Sequence, residues 1–123
     1  MRASVIVVEY GSGSLLGQCL ASLYASEFAP EDFEVIIVDN DSPTPARAIV
    51  AGYPQVRLFE MERNLGFAGG CVAGFERSRG EAILLLNPDA VVERDWISEM
   101  VRSLGRENVG VVGSKIYHAG TRV

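Results

Sequence analysis

The chain has 123 residues, of which 48% are hydrophobic and 22% charged, as is typical of one compact globular domain. Its formal net charge is −5, and Lys and Arg form no cluster, which argues against a general nucleic-acid-binding surface. No stretch approaches the roughly 18 apolar residues of a membrane span. The apolar start predicts a first strand rather than a signal peptide.

The first part of the sequence alternates an apolar run, a helical pattern and a second apolar run. Residues Ser4 to Tyr10 predict a buried strand. The apolar stripe from Ser14 to Phe28 predicts a helix, with Ser12 or Ser14 as its N-terminal cap. Residues Glu34 to Asp39 predict the second buried strand.

Two shorter elements follow the second strand. Thr44 followed by Pro45 is typical of a helix start and predicts a short helix to about Ala51. Residues Val56 to Met61 predict a third, weaker strand.

The second half continues the same alternation. The glycine-rich segment Asn64 to Gly70 leads into a helix that is predicted to end near Arg79. Residues Glu81 to Leu86 predict a fourth strand, and Asp95 is the predicted cap of another helix. Residues Val109 to Ile116 predict a last strand.

Strands that are apolar on both faces and alternate with amphipathic helices predict an α/β fold. We expect a three-layer α/β/α domain over residues 1–123, with a mostly parallel, Rossmann-like sheet. Ligands bind at the carboxyl ends of the strands in such sheets. Polar residues gather at all four predicted ends: Glu9 to Gly11, Asp39 to Asp41, Glu62 to Asn64 and Asn87 to Asp89. Polar turns alone would also explain this placement.

The segment "VVEYGSGSLLGQCL" is similar to a dinucleotide-binding turn. The strict fingerprint needs a third glycine three residues after the second, where this sequence has Leu16, and Gly17 follows one residue later. Asp39 lies about where a ribose-binding carboxylate would fall. An NAD-binding Rossmann protein therefore stays an alternative, while Gly11 and Gly13 are better explained by a tight turn.

Two other segments carry candidate ligand contacts. Asp89 follows Pro88 at the tip of a buried strand, where a carboxylate could hold Mg²⁺ or Mn²⁺ together with diphosphate oxygens or could simply cap the turn. The loop "RNLGFAGG" could bring backbone close to a diphosphate or could be a tight strand-to-helix turn. Arg63 could bind a phosphate or be solvated.

Four motifs, "VIVVEYG", "IIVDNDS", "NLGFAGG" and "LLLNPDA", stand in an order and spacing that resemble the family 2 glycosyltransferases of the GT-A fold. The closest resemblance is to the rhamnosyltransferase-like branch. It runs from about Ser4 to the last residues, where "VGVVGSKIYHAG" also fits. The resemblance favours a nucleotide-sugar base over NAD at the first strand end.

The resemblance implies a role for each motif. The first strand end lines the nucleobase pocket, the aspartate of the second strand contacts the base, and the glycine loop lies near the nucleotide and its sugar. The family's DxD motif falls on the fourth strand end, where only the last position is acidic and would bind Mg²⁺ or Mn²⁺. The implied residues are Val8, Glu9, Tyr10, Asp39, Arg63, Asn64, Gly66, Asn87, Pro88 and the metal ligand Asp89.

The sequence departs from the family pattern at three places. The family's first strand commonly ends Tyr-Asn, and here it ends Tyr10-Gly11. Cys71 and Val72 replace two asparagines of this branch, which bears on the sugar contacts. Glu9 stands where a small hydroxyl residue is common, which bears on base selectivity.

The chain resembles the donor-binding half of a GT-A transferase, because the resemblance implies an enzyme of about twice this length. The catalytic base of an inverting enzyme is therefore expected in the other half, and this chain alone is expected to transfer little or no sugar. His118 could be a base or a surface histidine. A non-enzymatic nucleotide-binding or assembly module is the main alternative.

The implied partners are a UDP- or dTDP-linked sugar, a saccharide or lipid-linked acceptor, and a second copy of the chain, since a half-domain leaves apolar faces uncovered. Cys19 and Cys71 lack metal or redox spacing and indicate reduced thiols. We expect a cytoplasmic location, or the inner face of the membrane for a lipid-linked acceptor.

Overall fold

The structure is a computed structural model that describes residues 1–118. It contains one four-stranded sheet in which every neighbouring pair of strands is parallel. The strands are β1 (Ala3–Glu9), β2 (Phe33–Asp39), β3 (Arg57–Glu60) and β4 (Ala82–Leu86). They lie in the order β3-β2-β1-β4, so β1 and β2 are central and β3 and β4 form the edges.

Within residues 1–118, three α-helices connect the strands, a fourth follows β4, and together they cover both faces of the sheet. They are α1 (Ser14–Tyr24), α2 (Arg47–Val50), α3 (Gly66–Glu76) and α4 (Trp96–Leu104), and a 3₁₀ turn spans Pro30–Asp32. This three-layer α/β/α arrangement confirms the predicted fold class. Within residues 1–118, none of these helices is long and apolar enough to cross a membrane.

The two faces of the sheet form two hydrophobic cores of unequal size. Because side chains alternate along a strand, Val5 and Val7 of β1 face the larger core, whereas Ile6 faces α3. Val5 lies between Val35 of β2 and Leu84 of β4, and all three side chains are buried. The apolar runs of β1 and β2 are therefore strands that are covered on both sides.

Helix α1 begins and ends differently from its prediction. Its N-terminal cap is Gly13, with φ 59°, and no side chain within the described residues caps it, so the assignment of Ser12 or Ser14 as cap is wrong. The helix ends at Tyr24 rather than Phe28, because the Glu27 N–H donates to the carbonyl of Arg94 in a distant loop.

Helix α3 ends at Glu76 rather than Arg79, because a buried polar network holds the residues that follow. Glu34, which is 5% exposed, accepts hydrogen bonds from the Ser4 hydroxyl at 2.7 Å and from the Arg79 N–H at 2.7 Å. The guanidinium of Arg57 lies 2.9 Å from its other carboxylate oxygen. Burial alone would raise the pKa of Glu34, but these hydrogen bonds and the Arg57 charge together lower it.

The predicted strand Val109–Ile116 is wrong, because residues 105–118 contain no helix or strand. Val111 and Ile116 are 90% and 87% exposed. A strand needs a hydrogen-bonded neighbour, and among the described residues β4 pairs only with β1. Residues 119–123, which the predicted domain includes, lie outside the described residues.

Candidate functional site

All predicted site residues lie at one edge of the sheet, because the four parallel strands end there. The loops that leave this edge span residues 10–13, 40–46, 61–65 and 87–95. The sheet thus gathers side chains that are far apart in sequence, as expected for a ligand site of an α/β fold. We call this set of loops the carboxyl edge.

The end of β1 places three predicted residues in different environments. Val8 is half-buried under α3, and Glu9 is 2% exposed. The Glu9 carboxylate accepts a hydrogen bond from the Ser12 N–H at 2.9 Å and so holds the turn before α1. Tyr10 is 55% exposed, which leaves its ring accessible for contact with a ligand.

Asp39 is buried, and both of its carboxylate oxygens hold the loop that follows β2. One accepts from the Ser42 N–H at 3.0 Å and the other from the Ala46 N–H at 2.9 Å. Asp39 therefore replaces a local cap at the start of α2, where Thr44 was expected to act. Its predicted contact with a base stays a prediction and would use the remaining lone pairs of the same carboxylate.

Asn40 connects this loop to the next one, a role that was not predicted from the sequence. Its side-chain Nδ2 donates to the Gly66 carbonyl at 2.9 Å, and its Oδ1 accepts from the Leu65 N–H at 3.2 Å. The residue is 2% exposed. The available signal was a polar amide directly after the strand predicted to be buried, since a buried amide needs partners.

The glycine-rich segment serves two purposes that the sequence did not separate. Gly66 has φ 75° at the first residue of α3, and its N–H donates to the Asn64 side chain at 2.8 Å. A Cβ atom on Gly70 would lie 2.6 Å from Val8, so this glycine lets α3 pack directly on β1. Arg63 and Asn64 are exposed at the carboxyl edge.

The loop after β4 carries the predicted metal ligand. Asn87 and Asp89 are exposed and Pro88 is half-buried. The thiol of Cys19, which is buried on α1, lies 3.7 Å from the Asn87 carbonyl. Burial, and then the nearby carboxylates of Asp89 and Glu9, raise the pKa of Cys19 to about 12. The negative charges of both carboxylates are therefore felt at the buried Cys19 thiol, beneath the carboxyl edge.

The donor atoms at this edge fit only one kind of metal site. Within residues 1–118, no group of three or more His, Cys, Asp or Glu side chains could hold an ion. Asp89 offers one accessible hard oxygen ligand, which suits Mg²⁺ or Mn²⁺ when a diphosphate supplies further oxygens.

Direct hydrogen bonds join three of the four loops. The Gly11 N–H donates to the Ser42 hydroxyl at 3.0 Å, and the Asn40 N–H donates to the Glu9 carbonyl at 2.9 Å. Together with the Asn40 side chain, these bonds connect the loops after β1, β2 and β3 into one unit.

The recesses of the surface do not all coincide with the predicted site. A recess of about 210 Å³ at the carboxyl edge is bounded in part by Asp39, Ser42 and Met61. A larger one, of about 1190 Å³, lies beside the amino end of β4 and mixes acidic and basic side chains such as Arg2, Asp32 and Glu81. No predicted site residue lines the larger recess. His118 is exposed.

The family model of glycosyl transferase family 2 matches residues 4–122 of the chain. An N-acetylglucosaminyltransferase of Bradyrhizobium elkanii is 28% identical over 100 residues, which are 77% of this chain and 54% of that protein. The chain spans between 10% and 54% of the length of the curated relatives it matches.

Two solved structures give the fold match. The mannosyltransferase PcManGT of Pyrobaculum calidifontis, solved in complex with GDP-Man and Mn²⁺, is 26% identical with a TM-score of 0.80 over 89% of this chain and 34% of that chain. S. aureus TarS 1-349 is 25% identical with a TM-score of 0.79 over 85% and 32%.

Proposed function

The chain belongs to glycosyl transferase family 2, and from this premise we propose that its carboxyl edge binds a nucleoside-diphosphate sugar as the donor-binding part of a transferase. One observation carries the proposal: exposed Tyr10, Arg63 and Asp89 all lie at this edge. They offer an aromatic face, a cation and a metal-binding oxygen, which are the groups that a nucleoside diphosphate needs.

The base lies at the ends of β1 and β2 in this proposal. The ring of Tyr10 stacks on it, and Asp39 accepts a hydrogen bond from it while still holding the loop after β2. Glu9 acts mainly through the turn before α1, since it is buried and bound to Ser12. We propose a UDP- or dTDP-linked donor. UDP-GlcNAc occurs in a complex of TarS and GDP-Man in the PcManGT complex, so GDP is a necessary comparison.

The diphosphate lies between the glycine loop and the loop after β4. Arg63 offers a positive charge, and α3 directs the positive end of its dipole toward the same edge. Asp89, with Asn87 and Pro88 shaping its loop, holds the divalent ion. That ion, when bound, offsets the charge of the diphosphate and stabilises the leaving nucleoside diphosphate.

Transfer in the complete enzyme moves the sugar to an acceptor hydroxyl, with inversion at the anomeric carbon. A base has to remove the proton of that hydroxyl. None of the residues assigned here is placed for that role, so we propose that this chain alone transfers little or no sugar. The acceptor is a saccharide or a lipid-linked saccharide. The four motifs taken together support our proposal of the rhamnosyltransferase-like branch, from which Cys71 and Val72 depart.

A second candidate function is nucleotide binding within a homo-oligomeric assembly, without catalysis. It is favoured by apolar side chains that stay exposed on α3 and β4: Phe67, Phe75 and Leu85 are 60%, 59% and 51% exposed. Such surfaces tend to associate. Both functions share the donor site and differ in the product that the chain forms.

Calorimetric titration of the purified chain tests the donor site. UDP, dTDP, GDP and NAD are titrated with and without Mn²⁺ into the wild type, Asp89→Asn and Glu107→Gln. Glu107 is an exposed carboxylate outside the carboxyl edge, between two residues that line the recess at the amino end of β4, and its variant is the control for the loss of one negative charge. We expect Mn²⁺-dependent binding of a nucleoside diphosphate that is lost in Asp89→Asn and kept in Glu107→Gln.

The contrary results are distinct. Tighter binding of NAD, or binding that ignores Mn²⁺, would point to a dinucleotide site. Rapid sugar transfer from the bound donor to an added acceptor hydroxyl would overturn the proposal that the chain alone is inactive.

A further inference from the structure

We infer that Asn40 is a positioning residue of the donor site, which holds the Leu65–Gly66 turn so that Arg63 and Asn64 meet the nucleotide sugar. This inference rests on the proposed function, because it assigns a role within the same site. Asn40 does not touch the ligand in this account and acts through the turn.

The Asn40 side chain makes one hydrogen bond as a donor and one as an acceptor. The side chain uses its donor on the Gly66 carbonyl at 2.9 Å and its acceptor on the Leu65 N–H at 3.2 Å, and the residue is 2% exposed. A Cβ atom on Gly70 would lie 3.2 Å from the same Nδ2, so α3 closes over the amide. Only a side chain with one donor and one acceptor of this size satisfies both backbone groups.

Side-chain hydrogen bonds from two residues, Asn40 and Asn64, hold this turn. Gly66 has φ 75°, and the adjacent Asn64 side chain is bound to the Gly66 N–H at 2.8 Å. Arg63 and Asn64 are exposed, so the turn, rather than packing around their side chains, sets where they lie. The Asp39 side chain holds only its own loop, through Ser42 and Ala46, and its carbonyl accepts from the Met61 N–H at the far end of the glycine loop. The contact with the Leu65–Gly66 turn itself comes from the Asn40 side chain.

Replacing Asn40 by aspartate separates this role from general packing. The variant Asn40→Asp keeps the size and the acceptor, but it loses the donor and sets a charged oxygen against the Gly66 carbonyl, 2.9 Å from the original nitrogen. Burial and that carbonyl disfavour the charged form of the new carboxyl group, so it takes up a proton above the usual value of about 3.9. The protonated group has an O–H and restores the bond.

The test is calorimetric titration of UDP, and of dTDP, with Mn²⁺ between pH 5 and pH 8, well below the unfolding temperature of each variant. We compare the wild type with Asn40→Asp, with Asn40→Ser and with Asn108→Asp. Asn108→Asp makes the same change at an exposed site, and Asn40→Ser removes the amide without adding a titrating group.

We expect the affinity for the nucleotide to fall about 10-fold or more in Asn40→Asp at pH 8, because one hydrogen bond is lost and its partner is left unpaired. The affinity should return toward that of the wild type as the pH falls. Asn40→Ser should lose affinity at every pH, and Asn108→Asp should follow the wild type. The elements and loops that adjoin Asn40 carry these charged or titrating residues: Glu9, Asp39, Asp41, Glu60, Glu62, Arg63 and Cys71. All of them are present in every variant, so their titration cancels in the affinity ratio.

The contrary results separate this inference from the proposed function. Wild-type affinity in both Asn40 variants, or a loss in Asn40→Asp that does not change with pH, overturns the positioning role and leaves the donor site standing. If Asn40→Asp does not fold, unchanged affinity of Asn40→Ser overturns the role and a loss of affinity supports it. A wild type that binds neither nucleotide overturns the proposed function, and this inference falls with it.

Discussion

Gly74 of α3 lies directly over Ile6 of β1, and a Cβ atom at Gly74 would be 2.5 Å from Ile6 Cγ2. The same atom would be 3.3 Å from Val38 of β2. The side chains of Ile6 and Val38 are both buried, and dense packing of the core limits how far they can move aside. This contact fixes how closely α3, with the glycine loop at its start, packs against the sheet.

We predict that Gly74→Ala destabilises the chain by about 1–3 kcal/mol, because an added methyl group in a packed core forces strain that exceeds the gain in helix propensity. Gly17→Ala is the matched control in α1, since its Cβ atom would meet Ile49 at an ordinary 3.8 Å. The control should be stabilised by up to about 1 kcal/mol. Urea denaturation measures both, and equal shifts in the same direction would contradict the packing argument.

The Glu34 network gives a prediction about pH. Because the folded-state pKa of Glu34 lies below its usual value of 4.5, the charged network stabilises the fold above that pH. The stabilisation is lost as the pH falls through the lowered folded-state pKa. We expect Glu34→Gln to cost about 1–3 kcal/mol at pH 7, since Arg57 and the Ser4 hydroxyl lose a charged acceptor.

Urea denaturation of wild type and Glu34→Gln from pH 7 to pH 3 measures that difference, which should shrink as the pH falls below about 4.5. Exposed Glu31, at the 3₁₀ turn, supplies the control Glu31→Gln. A gap between wild type and Glu34→Gln that stays constant over this range would argue against the charged state of Glu34 as its source.

The four strands could be predicted from the sequence because each depends on a pattern of consecutive residues. The two central strands are apolar runs that are buried on both faces, and β2 is buried along its whole length. The strand predicted at Val109–Ile116 has the same local pattern but lacks a hydrogen-bonded neighbour in residues 1–118. Pairing depends on residues elsewhere in the chain, so local pattern alone could not decide it.

The candidate site shows the same limit. The sequence placed its residues at strand ends, and the parallel sheet brings those ends to one edge. It could not reveal that Asn40 binds backbone groups 25 and 26 residues away, or that Gly70 approaches Val8. Such contacts depend on distances between elements, and residue type and spacing carry no measure of them.

Cys19 provides a chemical probe of the packing beneath the carboxyl edge. Its side chain is fully buried and its pKa is raised to about 12, so almost no thiolate forms at pH 8. We predict that Cys71→Ser, which leaves only Cys19, does not react with a thiol reagent in native buffer and reacts fully in urea. Absorbance after addition of the disulfide reagent DTNB measures the reaction, and fast labelling of the folded Cys71→Ser variant would contradict the burial.

The uncovered side of β4 leads to a prediction about association. Leu85 is 51% exposed on a strand whose outer edge has no partner among residues 1–118, and exposed apolar edge strands pair with other chains. We expect the mass from light scattering to rise to that of a dimer or larger oligomer as concentration increases. Leu85→Lys should reduce this association, because a charged side chain on an edge strand opposes pairing. Val111→Lys, at a residue that is 90% exposed and outside the sheet, is the control and should associate as the wild type does. A wild type that stays monomeric at high concentration would show that this face does not hold two copies together.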